Sequence, residues 1–203
     1  MDTECGVEEK ICELLIELNG SLREKSFDET VHLSPINNLL KTISSEKVTF
    51  ISRKLLKNFD NTYSWMISEM DYFKQNKKGE LRSGIKSIEK IILDFLNVTL
   101  SADEYEFEFL VKLGAARENK DDKINMLNIL NEVFQYASEK QGISKKLAYT
   151  LFSIEFELVN ESGYLTEPFR GWDEMIEREN VAFENYLSFD EVIREIFGHG
   201  VRL

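Results

Sequence analysis

The side chains most able to take part in chemistry are carboxylates of the C-terminal third, where acidic and aromatic residues alternate. Six of these acids are Asp173, Glu174, Glu177, Asp190, Glu191 and Glu195. Aromatic residues spaced among acids are typical of amphipathic helices whose polar side forms a negative surface. Such a surface attracts a cationic segment of a partner, and salt weakens the attraction. We therefore predict docking of a basic segment on these acids rather than catalysis.

Trp172 and Glu167 lie at the start of the same region. Thr166 followed by Pro168 is typical of a helix start, because proline fits the first helical turn. The spacing then places Phe169 and Trp172 on one face of the helix. We expect this face to join the core, with Glu167 and an exposed edge of Trp172 available to the partner.

Glu155 is an acid on a helical face that is otherwise apolar, between Leu151 and Val159. A carboxylate in such a place is costly unless it is paired. One interpretation is a structural ion pair with Arg117 or Arg170. The other is a groove in which Glu155 accepts a basic residue of the partner. If the charge is only structural, Glu155→Leu is expected to keep or improve stability.

The residue types give little support for metal binding, phosphate binding or nucleophilic catalysis. His32 and His199 are the two histidines, and neither has a further histidine or cysteine at metal-ligand spacing. His199 lies between Gly198 and Gly200, which predicts a flexible tail rather than a site. The glycines form no phosphate-binding loop, and no serine or cysteine lies in a nucleophile motif. We predict a non-enzymatic protein that holds neither a metal nor another cofactor.

The charge and cysteine content narrow the class of partner. With 25 basic and 37 acidic residues, the chain has a formal net charge of −12. This balance disfavours nucleic acids and anionic membranes as partners, since both carry negative charge. Cys5 and Cys12 lie two helical turns apart, too far for a disulfide, so reduced thiols in the cytoplasm are expected. No secretory signal or membrane-spanning segment is predicted.

Apolar residues recur at helical spacing through most of the chain, which predicts an all-α fold in a single domain of residues 1–203. A helix is expected to open at Ser34–Pro35, a turn to occupy residues 75–79, and Ser188 to cap a final helix that includes Phe189–Phe197. Residues 103–113 are ambiguous, because their apolar positions alternate as in a strand. We predict a helix there, since no other segment offers a pairing strand.

The predicted helices are joined by short polar connections, so successive helices are expected to form antiparallel hairpins. The hairpins recur about every 40 residues, the spacing of HEAT units. No residue-by-residue repeat accompanies this spacing. Both a HEAT-like array and a compact helical bundle remain open.

The C-terminal region also resembles a known family. Leu151-Phe152, Leu165-Thr166-Glu167 and the block Phe169-x-x-Trp172-Asp173-Glu174 resemble the C-terminal HEAT domain with aromatic–acidic boxes of translation initiation factor four-gamma and its relatives. The resemblance implies an all-α scaffold that binds basic segments of other proteins, such as a kinase tail or another initiation factor. This chain has Ile196-Phe197 where the family has a second tryptophan, and it lacks the family's acidic tail.

Two functions follow from these observations. The first is a protein-binding scaffold module in translation initiation, which docks basic segments on its acidic C-terminal face. The alternative is an acidic antagonist, encoded by a phage or virus, that blocks a nucleic-acid-binding protein by charge mimicry. The identity of the partner and the oligomeric state stay open.

Overall fold

The computed structural model describes residues 2–43, 49–70, 72–73, 75–97, 104–118, 122–161 and 181–199. The elements within them are α1 Asp2–Arg23, α2 Glu29–Ile43, β1 Phe50–Ser52, α3 Arg53–Glu69, α4 Gln75–Leu96, α5 Glu104–Glu118, α6 Lys123–Ser138, β2 Gly142–Ser144, α7 Lys145–Glu161 and α8 Val181–Ile196. The predicted all-α fold is confirmed, with the addition of one two-stranded ribbon.

Three predicted helix boundaries are wrong. The helix expected to open at Ser34–Pro35 begins at Glu29, because Asp28 caps it by accepting a hydrogen bond from the Val31 amide at 3.0 Å. Residues 75–79, predicted as a turn, form the first turns of α4. Ser188, predicted as a cap, lies inside α8. In each case a short polar motif suggested a turn or a helix start at a place that lies within a helix.

The ambiguous segment 103–113 is helical where it is described, as predicted. The buried side chains of α5, which are Glu106, Leu113 and Ala116, follow helical spacing. The strand-like alternation arises because α5 also carries apolar side chains on its outer side. Phe107 and Val111 are 58% and 57% exposed.

The helices form two repeats of the same arrangement. In the first repeat, α1 and α4 each pack on both α2 and α3; in the second, α5 and α8 each pack on both α6 and α7. The principal contacts between the repeats join α4 to α7 and β1 to β2. The described helices therefore form two groups of paired hairpins, which is consistent with either a helical bundle or an array.

The ribbon lies where the two repeats meet. β1 and β2 are antiparallel, and Ile51 pairs with Ile143 at their centre. Each strand ends in a serine that caps the next helix. Ser52 Oγ accepts from the Leu55 amide at 3.2 Å, and Ser144 Oγ accepts from the Leu147 amide at 3.1 Å. The sequence Ile-Ser-Arg-Lys-Leu of residues 51–55 thus reappears as Ile-Ser-Lys-Lys-Leu in residues 143–147, a residue-level repeat that the helix stripes do not reveal.

Replacement of Gly142 by a larger residue is expected to destabilise the ribbon. A Cβ atom at Gly142 would lie 2.2 Å from the carbonyl oxygen of Ile51, so Gly142→Ala must displace the strand. We expect a loss of about 1–3 kcal/mol in the free energy of unfolding, measured by urea denaturation. Gly20→Ala is the matched control, since its Cβ meets open space within α1, and it should gain about 0.5–1 kcal/mol. Equal stabilities of the two variants would contradict the prediction.

Buried apolar side chains from all the described helices join in one core cluster. The free thiol of Cys12 belongs to it. Within the described residues, no helix has both the length and the apolar composition that crossing a bilayer requires.

Candidate functional site

Three carboxylates from different helices meet inside the protein. Asp60 lies on α3, Glu155 on α7 and Asp190 on α8, and one oxygen of each lies within 4.8 Å of an oxygen of the other two. Asp60 and Glu155 have no solvent exposure, whereas Asp190 is half-buried. We call these three residues the carboxylate cluster. It is divided between the repeats, because α3 belongs to the first and α7 and α8 to the second.

Glu155 is the most isolated member. No described residue forms a hydrogen bond with either of its carboxylate oxygens. Burial, followed by the negative charges of Asp60 and Asp190, raises the pKa of Glu155 well above its ordinary value, and Arg194 opposes the shift. The carboxyl must therefore hold a proton or have a cation beside it.

Of the two predicted partners of Glu155, Arg117 does not pair with it. The Arg117 Nε donates to Glu157 at 2.5 Å instead, and Arg170 lies outside the described residues. Because Glu155 is fully buried, it cannot line an open groove on the surface. Helical spacing correctly predicted an inward-facing carboxylate, and among the described residues the cation that acts on it is Arg194.

Arg194 lies one turn after Asp190 on α8 and reaches across to α3. Its Nη1 donates to Ser64 Oγ at 2.7 Å and lies 3.5 Å from Asp60 Oδ2. Its Nη2 donates to Asn61 Oδ1 at 3.4 Å. The guanidinium thus offsets part of the negative charge and joins the repeats.

His199 belongs to the site rather than to a tail. Gly198 adopts φ +97°, which allows the His199 amide to donate to Arg194 O and the Gly198 amide to donate to Glu195 O, both at 3.0 Å. These two bonds form a Schellman motif that ends α8 and fixes His199. His199 Nε2 then lies 2.8 Å from Asp60 Oδ2.

The contacts of His199 also fix its tautomer. Its Nδ1 lies 3.4 Å from Nη2 of Arg194. A guanidinium can only donate, so Nδ1 accepts, and Nε2, which lies near Oδ2 of Asp60, is the nitrogen left to carry the proton. Sequence reasoning missed this role because the two histidines were tested for mutual spacing, whereas His199 acts with an aspartate far away in the chain.

A further acid, Glu89 on α4, adds to the negative field at Glu155. Tyr63 donates to Glu89 Oε1 at 2.9 Å. Burial raises the pKa of Glu89, and the hydrogen bond from Tyr63 opposes that shift. The acids around the cluster thus come from four helices.

The predicted acidic docking face is only partly described. Glu167, Trp172, Asp173, Glu174 and Glu177 lie outside the described residues. On α8, Glu191 is exposed as expected, whereas Asp190 is half-buried in the cluster. Glu195 is half-buried, and its carbonyl oxygen accepts from Nη2 of Arg53 at 2.9 Å.

An exposed apolar strip on α5 was not foreseen. Its members are Phe107, Val111, Gly114 and Ala115, all exposed, and we call them the α5 strip. Three of them, Phe107, Val111 and Gly114, follow helical spacing along one line. The sequence indication was the presence of apolar residues on every side of this helix, which the strand-like alternation obscured.

Comparisons with protein-family models, with curated proteins and with solved structures gave no match. The resemblance of the C-terminal region to the HEAT domain of initiation factors therefore stays a prediction.

Proposed function

We propose that this protein is a non-enzymatic protein-binding module that docks a basic, amphipathic helix of a partner on the α5 strip. The observation that carries the proposal is the exposure of Phe107 and Val111, one helical turn apart. Burying a large apolar side chain in an interface contributes about 1.5–3 kcal/mol. Two neighbours can thus anchor a partner helix.

The shape of the α5 strip favours close approach. A Cβ atom at Gly114 would meet nothing within 4 Å, and Ala115 beside it is small. A partner helix can therefore approach the α5 backbone closely at Gly114 and Ala115 while it covers Phe107 and Val111.

The surrounding charges favour a basic partner. Glu108 and Glu118 are exposed on the same side of α5. Lys112 lies 3.0 Å from Glu108 and 2.8 Å from Glu132, so its charge is already compensated. With a net charge of −12 for the whole chain, association with a cationic segment should be fast at low salt and should weaken as salt increases.

The C-terminal acids are a second place where the same kind of segment could dock. Asp173, Glu174, Glu177 and exposed Glu191 would supply the charge, as the HEAT resemblance implies. That resemblance also supplies translation initiation as the proposed context. The α5 strip takes precedence because Phe107 and Val111 offer two large exposed apolar anchors on one face of a helix.

The test is a pull-down from the native host with mass-spectrometric identification, followed by titration of the purified partner. Phe107→Ser/Val111→Ser is expected to weaken binding about a hundredfold or more, since each of the two lost anchors removes more than about 1.4 kcal/mol. Its stability should change by less than about 0.5 kcal/mol per site, because both side chains are exposed. Ile16→Ser on α1, where the side chain is 60% exposed, is the matched control and should bind normally.

Two other results would overturn this assignment. If Asp173→Lys/Glu174→Lys/Glu177→Lys abolishes binding and the α5 variant binds normally, docking occurs at the C-terminal acids. If the partner binds nucleic acid and this protein competes with the nucleic acid for it, the protein is a charge-mimicking antagonist.

A further inference from the structure

We propose that the carboxylate cluster of Asp60, Glu155 and Asp190 binds a divalent cation of the oxygen-preferring class, which includes Mn²⁺, Mg²⁺ and Ca²⁺. Carboxylate oxygens are the ligands that these ions prefer. This site is separate from the α5 strip and does not depend on the proposed docking function.

The spacing of the oxygens suits a shared ion. One oxygen from each residue lies within 4.8 Å of the other two. Oxygens that are bound at about 2.0–2.6 Å to one ion are separated by about 3–5 Å, depending on the angle between them. The three helices therefore already hold the ligand atoms at nearly the required separations.

The second observation is the unsatisfied state of Glu155. This side chain has no solvent exposure and points into the cluster, and no described residue hydrogen-bonds either oxygen. Buried polar groups are normally satisfied by protein, water or an ion. A cation bound by Asp60 and Asp190 would satisfy Glu155 as well.

The charge balance indicates a divalent ion. The ionised cluster carries three negative charges, and the guanidinium of Arg194, 3.5 Å from Asp60, supplies one positive charge. Two negative charges remain, which one divalent cation neutralises.

His199 and Arg194 act as positioning residues rather than ligands. Both lie against Oδ2 of Asp60, at 2.8 and 3.5 Å respectively. The other oxygen, Oδ1, has no hydrogen bond from the described residues and is the atom left for the ion. Groups that orient a metal ligand in this way typically change metal affinity 10- to 100-fold when they are removed.

The α8 edge of the cluster provides the entrance. Asp190, Arg194 and His199 are all partly exposed, whereas Asp60 and Glu155 are not. A hydrated cation would meet Asp190 first and lose water as it moves toward the other two carboxylates.

The experiment is a titration of the metal-stripped full chain with Mn²⁺, followed by electron paramagnetic resonance of the free ion and by calorimetry. We expect one ion per chain in the wild type and at least tenfold weaker binding in Glu155→Gln. Asp190→Asn, at the partly exposed edge, provides a second variant with less risk to folding and should show the same loss. Competition with Mg²⁺ and Ca²⁺ shows which ion the site prefers.

Glu191→Gln is the matched control, because it removes an exposed carboxylate from the same helix and should leave the affinity unchanged. Thermal unfolding adds a second readout. Mn²⁺ should raise the Tm of the wild type and leave that of Glu155→Gln unchanged, whereas without Mn²⁺ the variant should melt at the same or a higher temperature. A wild type that binds none of the three ions, or retained affinity in both cluster variants, would overturn the proposal in favour of protons shared among the carboxyls.

Discussion

Arg194→Met is expected to lower the free energy of unfolding by about 3–5 kcal/mol, the loss that follows when one partner of a buried charge network is removed. Arg194 contacts Ser64, Asn61 and Asp60 and is 16% exposed. Without it, the carboxylate cluster keeps its negative charge and loses its compensating cation. Urea denaturation at neutral pH in metal-free buffer measures the loss.

A double variant isolates the electrostatic part of this loss. Arg194→Met/Glu155→Gln should recover part of the stability, because Glu155→Gln removes one of the carboxylates that Arg194 compensates. Arg194→Lys should lose less stability than Arg194→Met, since lysine keeps the positive charge although it lacks the planar guanidinium that forms several hydrogen bonds at once. A loss below about 1 kcal/mol for Arg194→Met would show that the cluster is already neutral in the folded protein.

Lys145→Met is expected to raise the free energy of unfolding by about 1–3 kcal/mol at neutral pH. Lys145 is the first residue of α7 and has no solvent exposure. Its Nζ donates no hydrogen bond to a described residue and lies 4.0 Å from the centre of the Phe95 ring. Burial lowers the pKa of Lys145 to about 8, with the charge of Glu8 opposing the shift. Methionine keeps the packing and removes the buried charge.

The pH dependence gives this prediction a direction. Between pH 8 and the ordinary pKa of 10.5, the unfolded chain binds a proton at Lys145 that the folded chain has released. Wild-type stability should therefore gain a rising contribution from Lys145 over this window, and the full cost of the buried charge should be present below it. Lys145→Met should lack this contribution. The exposed neighbour Lys146 supplies the control, since Lys146→Met should change neither the stability nor its slope with pH.

Helical spacing predicted the inward position of Glu155, because the apolar pattern of α7 defines its buried face. It could not predict the companions of Glu155. Asp60 and Asp190 lie on other helices, and their meeting depends on how the two repeats pack. His199 was missed for a related reason, since its placement depends on the left-handed backbone of Gly198 and on a contact with Asp60.

The helical spacing of apolar residues predicted the all-α fold class. It did not predict the two short strands that precede α3 and α7. The apolar positions of α5 fit both the two-residue period of a strand and the 3.6-residue period of a helix. The helix buries Leu113 and Ala116 in the core. The ribbon was missed because three-residue strands are too short for a periodic pattern. Pairing of Ile51 with Ile143 requires the two repeats to meet first.

The division of the carboxylate cluster between the repeats has a consequence for cooperativity. Asp60 lies in the first repeat, and Glu155 and Asp190 lie in the second. Separation of the repeats would expose the three acids to water and remove the electrostatic repulsion between them. A cation bound to all three carboxylates would link the two repeats and oppose their separation. Hydrogen exchange in the β1–β2 ribbon should therefore slow whenever the cluster is neutralised, although the ribbon itself contributes no ligand.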